Sequence, residues 1–245
     1  MNTRNKTIIL IITIFAISGC KKNSVEPLPS TNKNYIPINI GDVRQIVSLA
    51  DSSTILMKVV GTRKRSDSTK VFEMEWTYGI QKPNTHYYLL KDGYFMSTNL
   101  TSDSDSVNPF KEQRLGKVTP VNSEMWKSII GSSDSTFFIA SYYKELNTLC
   151  GTFSNVYGFT LTQTVGGIID TILTPYYAEN IGYIGTDAQQ MALRASYLKV
   201  ANHEYGTLWP AKNVSSVGLS KRNVNNNILV QVITAYSLLG NKNFK

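Results

Sequence analysis

The chain has 245 residues, with 25 Lys plus Arg against 17 Asp plus Glu and a formal net charge of +8. That length accommodates one domain with a real core, with or without an extension. Its two His and two Cys show no His-Glu-x-x-His or paired-Cys spacing, which argues against a metal centre.

The first element is a leader. Arg4 and Lys6 form a positive head, an apolar run extends from Thr7 to Ile17, and Ser18-Gly19 are small. This is the pattern of an export signal cleaved after small residues. An uncleaved span is the competing reading. The 14 residues from Thr7 to Cys20 reach about 21 Å as helix, whereas a bilayer core of about 30 Å needs roughly 20 apolar residues.

"AISGC" resembles a bacterial lipoprotein lipobox. The resemblance implies that residues 1–19 are a signal peptide, that Cys20 carries a diacylglycerol, and that the new N-terminus receives a further acyl chain. Two or more chains hold a protein on a membrane where one does not. Without Arg4 and Lys6, 23 basic residues face 17 acidic ones, a net +6. This weakly favours anionic surfaces; nucleic acid is not an expected partner of an exported, anchored chain. With Cys20 lipidated, Cys150 has no intramolecular partner and reads as a small buried hydrophobe.

Residues 20–34 hold the anchor and a tether. "KKNSVEPLPSTNKN" is polar, has two prolines and shows no apolar period, as expected of a flexible linker. Its 14 residues reach at most about 50 Å and average about 20 Å.

From Tyr35 to Lys245 the chain reads as a β-rich domain, with about 206–245 as a C-terminal extension. In "TKVFEMEWTYG", Phe72, Met74, Trp76 and Tyr78 share one face and Glu73, Glu75 and Thr77 the other. That period of two marks a half-buried strand. "HYYLLKDGYFMS" is two apolar runs about a Lys-Asp-Gly turn, a hairpin with Gly93 at positive φ. "STFFIASYY" and "NVYGFTLTQT" are rich in aromatic and β-branched residues, as strands prefer. "NSEMWKSIIG", residues 122–131, has the cap and stop of one short helix. In "DAQQMALRASYLKVAN", Met191, Leu193, Ala195 and Tyr197 alternate, which favours strand. "NNNILVQVITAYSLL" offers Ile228, Val230 and Val232 on one face of a late strand. The expected fold is all-β: an antiparallel curved sheet, open barrel or sandwich, with at most one or two short helices.

"NYIPINIGDVRQIV", "CGTFSNVYGFTL" and "PYYAENIGYIGT" resemble, in order and spacing, signature segments of an uncharacterised family of Bacteroidota-type cell-envelope lipoproteins. Gly151, Thr152, Phe153, Asn155 and Val156 carry the middle match; Tyr176, Tyr177, Ala178, Gly182 and Ile184 carry the late one. The first segment lacks the family's usual tryptophan and has Val43-Arg44 near that point. The resemblance implies fold and address, and no activity. The physical readings of these residues are structural. Phe153 enters the core, Asn155 serves a turn, Tyr176 and Tyr177 pack across strands, and Gly182 and Gly185 mark a bulge or close backbone approach.

No residue set points to catalysis, and no cofactor is expected. A Gly-x-Ser-x-Gly elbow, a phosphate loop and a dinucleotide fingerprint are all missing. His203 and Glu204 are neighbours, which in a strand point to opposite faces. Asp103 and Asp105 in "SDSDS" lack the Gly and closing Glu of a calcium loop. "TRKRSDSTK" concentrates Arg63, Lys64 and Arg65, the best candidates for anionic contact, on an exposed turn. The sequence therefore favours a non-catalytic, membrane-anchored envelope lipoprotein, a structural or accessory subunit meeting other envelope proteins. The alternative is a carrier of an apolar or glycan ligand in the curve of the sheet, lined by Trp76, Tyr78, Tyr87, Tyr88 and Tyr177. An envelope hydrolase ranks third. The expected address is the outer membrane, since no Asp follows Cys20.

Overall fold

The computed structural model describes residues 24–25, 33–101, 112–128, 136–165, 168–188 and 191–212. Among these the chain is all-β, with no helix. Its strands are β1 (Ser24–Val25), β2 (Val43–Ser48), β3 (Thr54–Lys64), β4 (Lys70–Tyr78), β5 (Asn84–Lys91), β6 (Tyr94–Thr98), β7 (Gln113–Lys117), β8 (Met125–Lys127), β9 (Thr136–Thr148), β10 (Gly151–Val165), β11 (Ile168–Ala178), β12 (Gly182–Ala188), β13 (Met191–Val200) and β14 (His203–Gly206).

All belong to one sheet, in the order β7-β6-β5-β4-β3-β2-β13-β12-β11-β10-β9-β8, with β14 on β13 and β1 on β10. Every ladder on that path is antiparallel, while β1 runs parallel to β10. Two meanders, β2–β7 and β8–β13, are thus joined by the pairing of β2 with β13. Their free ends approach each other. The Arg114 amide donates to the Ser128 carbonyl at 2.9 Å, and the Gln113 side-chain amide donates to the Ser128 hydroxyl at 2.6 Å. The sheet is a nearly closed barrel. Bulges in β3, β10–β11, β11–β12 and β13 supply the bends that closure requires.

Local chemistry explains the elements. In β4, Met74 and Trp76 are buried, and Phe72 and Tyr78 pack half-buried on the same core. Between β5 and β6, Asp92 (φ 53°) and Gly93 (φ 76°) are both left-handed, the two-residue turn whose twist matches the strands it joins. In β13 the alternation holds from Leu193 to Ala195. A bulge at Ser196 then shifts the register, so Leu198 and Val200 point inward in place of Tyr197.

The short helix expected within residues 122–131 is a correction. Met125–Lys127 is strand β8, paired with Phe137–Ile139; residues 129–131 lie outside the described set. Trp126 is buried against Tyr94, Phe138 and Phe159, at 6.1, 5.6 and 5.3 Å between ring centroids. A helix this short has little stability of its own, and that aromatic cluster, which spans the barrel seam, outweighs its cap.

The N-terminal segment before β2 is part of the core. The Asn180 amide donates to the Asn34 carbonyl at 2.6 Å, and the Tyr35 amide to the Val118 carbonyl at 2.9 Å. Tyr35 and Ile36 are buried, so the segment spans from the β11–β12 turn to the end of β7 and closes that side of the interior. Upstream, Ser24–Val25 lies within the expected tether and is docked beside Thr152–Phe153. The leader, Cys20, Asp103, Asp105 and residues 213–245 lie outside the described residues.

Candidate functional site

The barrel interior is not completely filled. A cavity is lined by Ile36, Pro37 and Ile38 of the N-terminal segment and by side chains from β2 to β7, β11 and β12. In it the centre of a water molecule can range over about 50 Å³, and the unfilled space counted out through its open mouth is about 520 Å³. Space for one water centre takes roughly 10–15 Å³, so the enclosed part holds a few waters or one slender apolar group. Met57, Met74, Trp76, Phe95 and Leu115 make the wall apolar, and methionine adapts readily to an occupant.

Arg44 is the one charged residue among the described residues of that wall. It lies in phase with the core residue Ile46 on β2 and is itself buried. Its Nη2 donates to the carbonyls of Pro37 and Ile181, each at 3.2 Å. The Nε–H is buried and has no acceptor among the described residues. Asp42 is 3.7 Å away. Its carboxylate also accepts the Asn39 amide at 3.0 Å and the Ala201 amide at 3.2 Å. Burial pulls the guanidinium below its ordinary pKa, and Asp42 opposes that. Tyr88 and Tyr183 on the same wall are raised by burial, Tyr183 to about 12, so both remain neutral donors. The Tyr183 hydroxyl is already paired with that of Thr186 at 2.7 Å.

Of the five aromatic residues expected to line a ligand site, Trp76, Tyr88 and Tyr177 are on the wall. Tyr78 packs elsewhere on the core, and Tyr87 lies beside the second, small cluster of Val71, Leu89 and Met96. The sequence did not single out Arg44, Met57 or Leu115. The available signal for Arg44 was one cation inside the apolar run "VRQIV", in phase with Ile46.

The basic turn does not present three free cations. Arg65 is buried, with Asp67 at 2.6 Å, Glu112 at 2.5 Å and the Thr98 hydroxyl at 3.1 Å. Its charge is therefore consumed within the protein. Arg63 is exposed and bonded to Glu73 at 3.0 Å, and Lys64 is exposed opposite Lys70. His86 lies 5.5 Å from Trp76, its Nε2 is buried without a partner among the described residues, and burial lowers its pKa. His203 is exposed on β14, opposite Val200. Cys150 is half-buried and its thiol is pushed up by burial, the opposite of nucleophile activation. Among the described residues, no group of three or more His, Cys, Asp or Glu is placed to hold a metal ion.

The signature residues sit in structural positions. Phe153 and Val156 are buried, and Tyr177 stacks on Phe159 at 4.9 Å. The Tyr176 hydroxyl donates to Asp187 at 2.9 Å. Gly185 lies against the Leu193 carbonyl. Asn155, at φ 52° within β10, accepts the Tyr142 hydroxyl at 2.9 Å.

No protein-family model matches the chain, and no curated protein matches it. A solved structure of a candidate lipoprotein from Parabacteroides distasonis resembles it at 13% identity and a TM-score of 0.39, over 69% of this chain and 100% of that one. A likeness that distant assigns neither a family nor a function.

Proposed function

We propose that this is a non-catalytic, lipid-anchored envelope protein, held by Cys20 at the outer membrane, whose barrel binds a small apolar ligand. The observation that carries the binding role is the apolar cavity, open at one side and walled by Trp76, Met57, Met74 and Phe95. Ligand sites are typically concave, mostly apolar and furnished with few polar groups, and this cavity has that character. The sequence ranks an accessory subunit first. The cavity favours the carrier, because a purely structural barrel gains nothing from unfilled core, where each lost contact is destabilising. The anchor rests on the basic head, the short apolar run and "AISGC".

The test is binding of the neutral fluorophore N-phenyl-1-naphthylamine to the full chain reconstituted in phospholipid nanodiscs, with empty discs subtracted. Saturable fluorescence that Met57→Trp abolishes is the expected result. An equal signal from wild type and the filled variant would remove the reading. Intact-mass analysis of the extracted protein is expected to give a chain that starts at an acylated Cys20; an unmodified Cys20 would refute the anchor.

A further inference from the structure

The cavity has one feature that an apolar ligand alone does not explain: a buried cation in its wall. Arg44 has an evident structural task, donating Nη2 to Pro37 and Ile181 and so tying the N-terminal segment to the β11–β12 turn. A neutral amide would serve two carbonyls without the desolvation of a full charge, which is costly unless paired. The available pairing is partial. Asp42 stands 3.7 Å away, beyond hydrogen-bond distance, with its oxygens also engaged by the Asn39 and Ala201 amides. The Nε–H has no acceptor among the described residues and is enclosed by protein, so the charge meets the cavity through the remaining edge of the guanidinium. Gly182 extends this arrangement, since a Cβ there would lie 3.0 Å from the Arg44 Nη2. The backbone is thus kept clear for the guanidinium at the cavity wall.

We propose that Arg44 is the head-group site for a monocarboxylate with a single slender apolar body, the carboxylate accepting from the edge of the guanidinium that lines the cavity while the chain lies among Met57, Met74, Trp76, Phe95 and Leu115. A guanidinium is the side chain best suited to a planar carboxylate, and hydrogen bonds between ionised groups are about twice as strong as neutral ones. The size of the cavity excludes a diacyl lipid as a fully enclosed ligand and admits one short chain. This inference rests on the proposed binding role and narrows it to an anionic ligand class.

The experiment measures displacement of N-phenyl-1-naphthylamine from the full chain in nanodiscs by octanoate, octanamide and octan-1-ol, with empty discs subtracted. The expected result is octanoate at least about ten-fold tighter than octanamide for wild type. Arg44→Gln is expected to abolish that preference, and Met57→Trp to weaken all three. Equal binding of octanoate and octanamide to wild type would overturn the anionic site and leave the apolar carrier standing. Octanoate binding that survives Met57→Trp would also overturn it, by placing the site elsewhere. If neither the fluorophore nor octanoate, the latter followed by calorimetry, binds wild type, both the carrier and this inference fall. The wild-type ligand series decides the matter even if Arg44→Gln does not fold.

Discussion

Gly182 and Arg44 are packed against each other: at Gly182 the backbone is left-handed, with φ +90°, and a Cβ would stand 3.0 Å from the Arg44 Nη2 and 3.4 Å from the Pro37 ring. Two constraints, conformational and steric, fall on one position. Gly182→Ala is therefore expected to destabilise the fold by about 1–2 kcal/mol from the left-handed backbone alone, with more from displacement of the guanidinium. A denaturant titration checks it, and an unchanged midpoint would show that neither constraint matters.

Trp76 is buried in the main core and also faces the cavity. A fully packed Trp→Ala change costs about 3–5 kcal/mol. Because part of its surface already meets empty space, the lower end, about 3 kcal/mol, is expected, together with altered fluorophore binding. Stability measured beside binding separates the roles. Lost binding at an unchanged midpoint would make Trp76 a ligand contact only.

His86 is held neutral by burial against Trp76. Its folded pKa lies below the unfolded value, so the unfolded chain takes up the proton first. Stability is then full above about pH 6.5 and falls as pH drops toward the depressed folded pKa. His86→Leu is expected to flatten the slope of unfolding free energy between about pH 6.5 and 5. A slope identical in the two proteins would contradict this.

Asp67 acts in a lower window. Its hydrogen bond to Arg65 holds the carboxyl well below the usual range, reinforced by Thr69. The stabilisation is present above about pH 4 and is lost as the solution is acidified through the folded pKa. Arg65→Met is expected to remove this acid dependence and to lower stability at neutral pH, since it strands Glu112 as well. Unfolding midpoints between pH 2 and 7 for both chains supply the check; parallel curves would count against it.

Strand periodicity was legible where each strand has one wet and one dry face, as in β4 with Glu73 and Glu75 opposite Met74 and Trp76. It was also legible where a turn needs particular residues, as at Asp92-Gly93. It failed where tertiary contacts decide. Trp126 reads as part of a capped turn of helix, yet the aromatic cluster at the barrel seam draws it into β8. The bulge at Ser196 reverses the phase of β13 midway, which no alternation rule anticipates. The candidate site was half legible: aromatic residues on β4 and β5 announce an apolar interior, and Trp76, Tyr88 and Tyr177 do line the cavity. Arg44 was hidden because its task depends on carbonyls of Pro37 and Ile181 brought to it by the fold. Arg65 was misleading for the same reason, its carboxylate Glu112 being distant in sequence.

The pairing of β2 with β13 has a kinetic consequence. Val43 lies opposite Lys199 and Ser48 opposite Leu193, so the first long strand of the barrel waits for nearly the last. Closing so large a loop is entropically unfavourable until the ladder forms, and topologies dominated by such pairings fold slowly. A nascent chain lacking β13 has β2 as an exposed, apolar edge, the kind of surface that recruits other strands. Maturation of this protein is thus tied to the arrival of β13, and truncations before Val200 are expected to accumulate as aggregates.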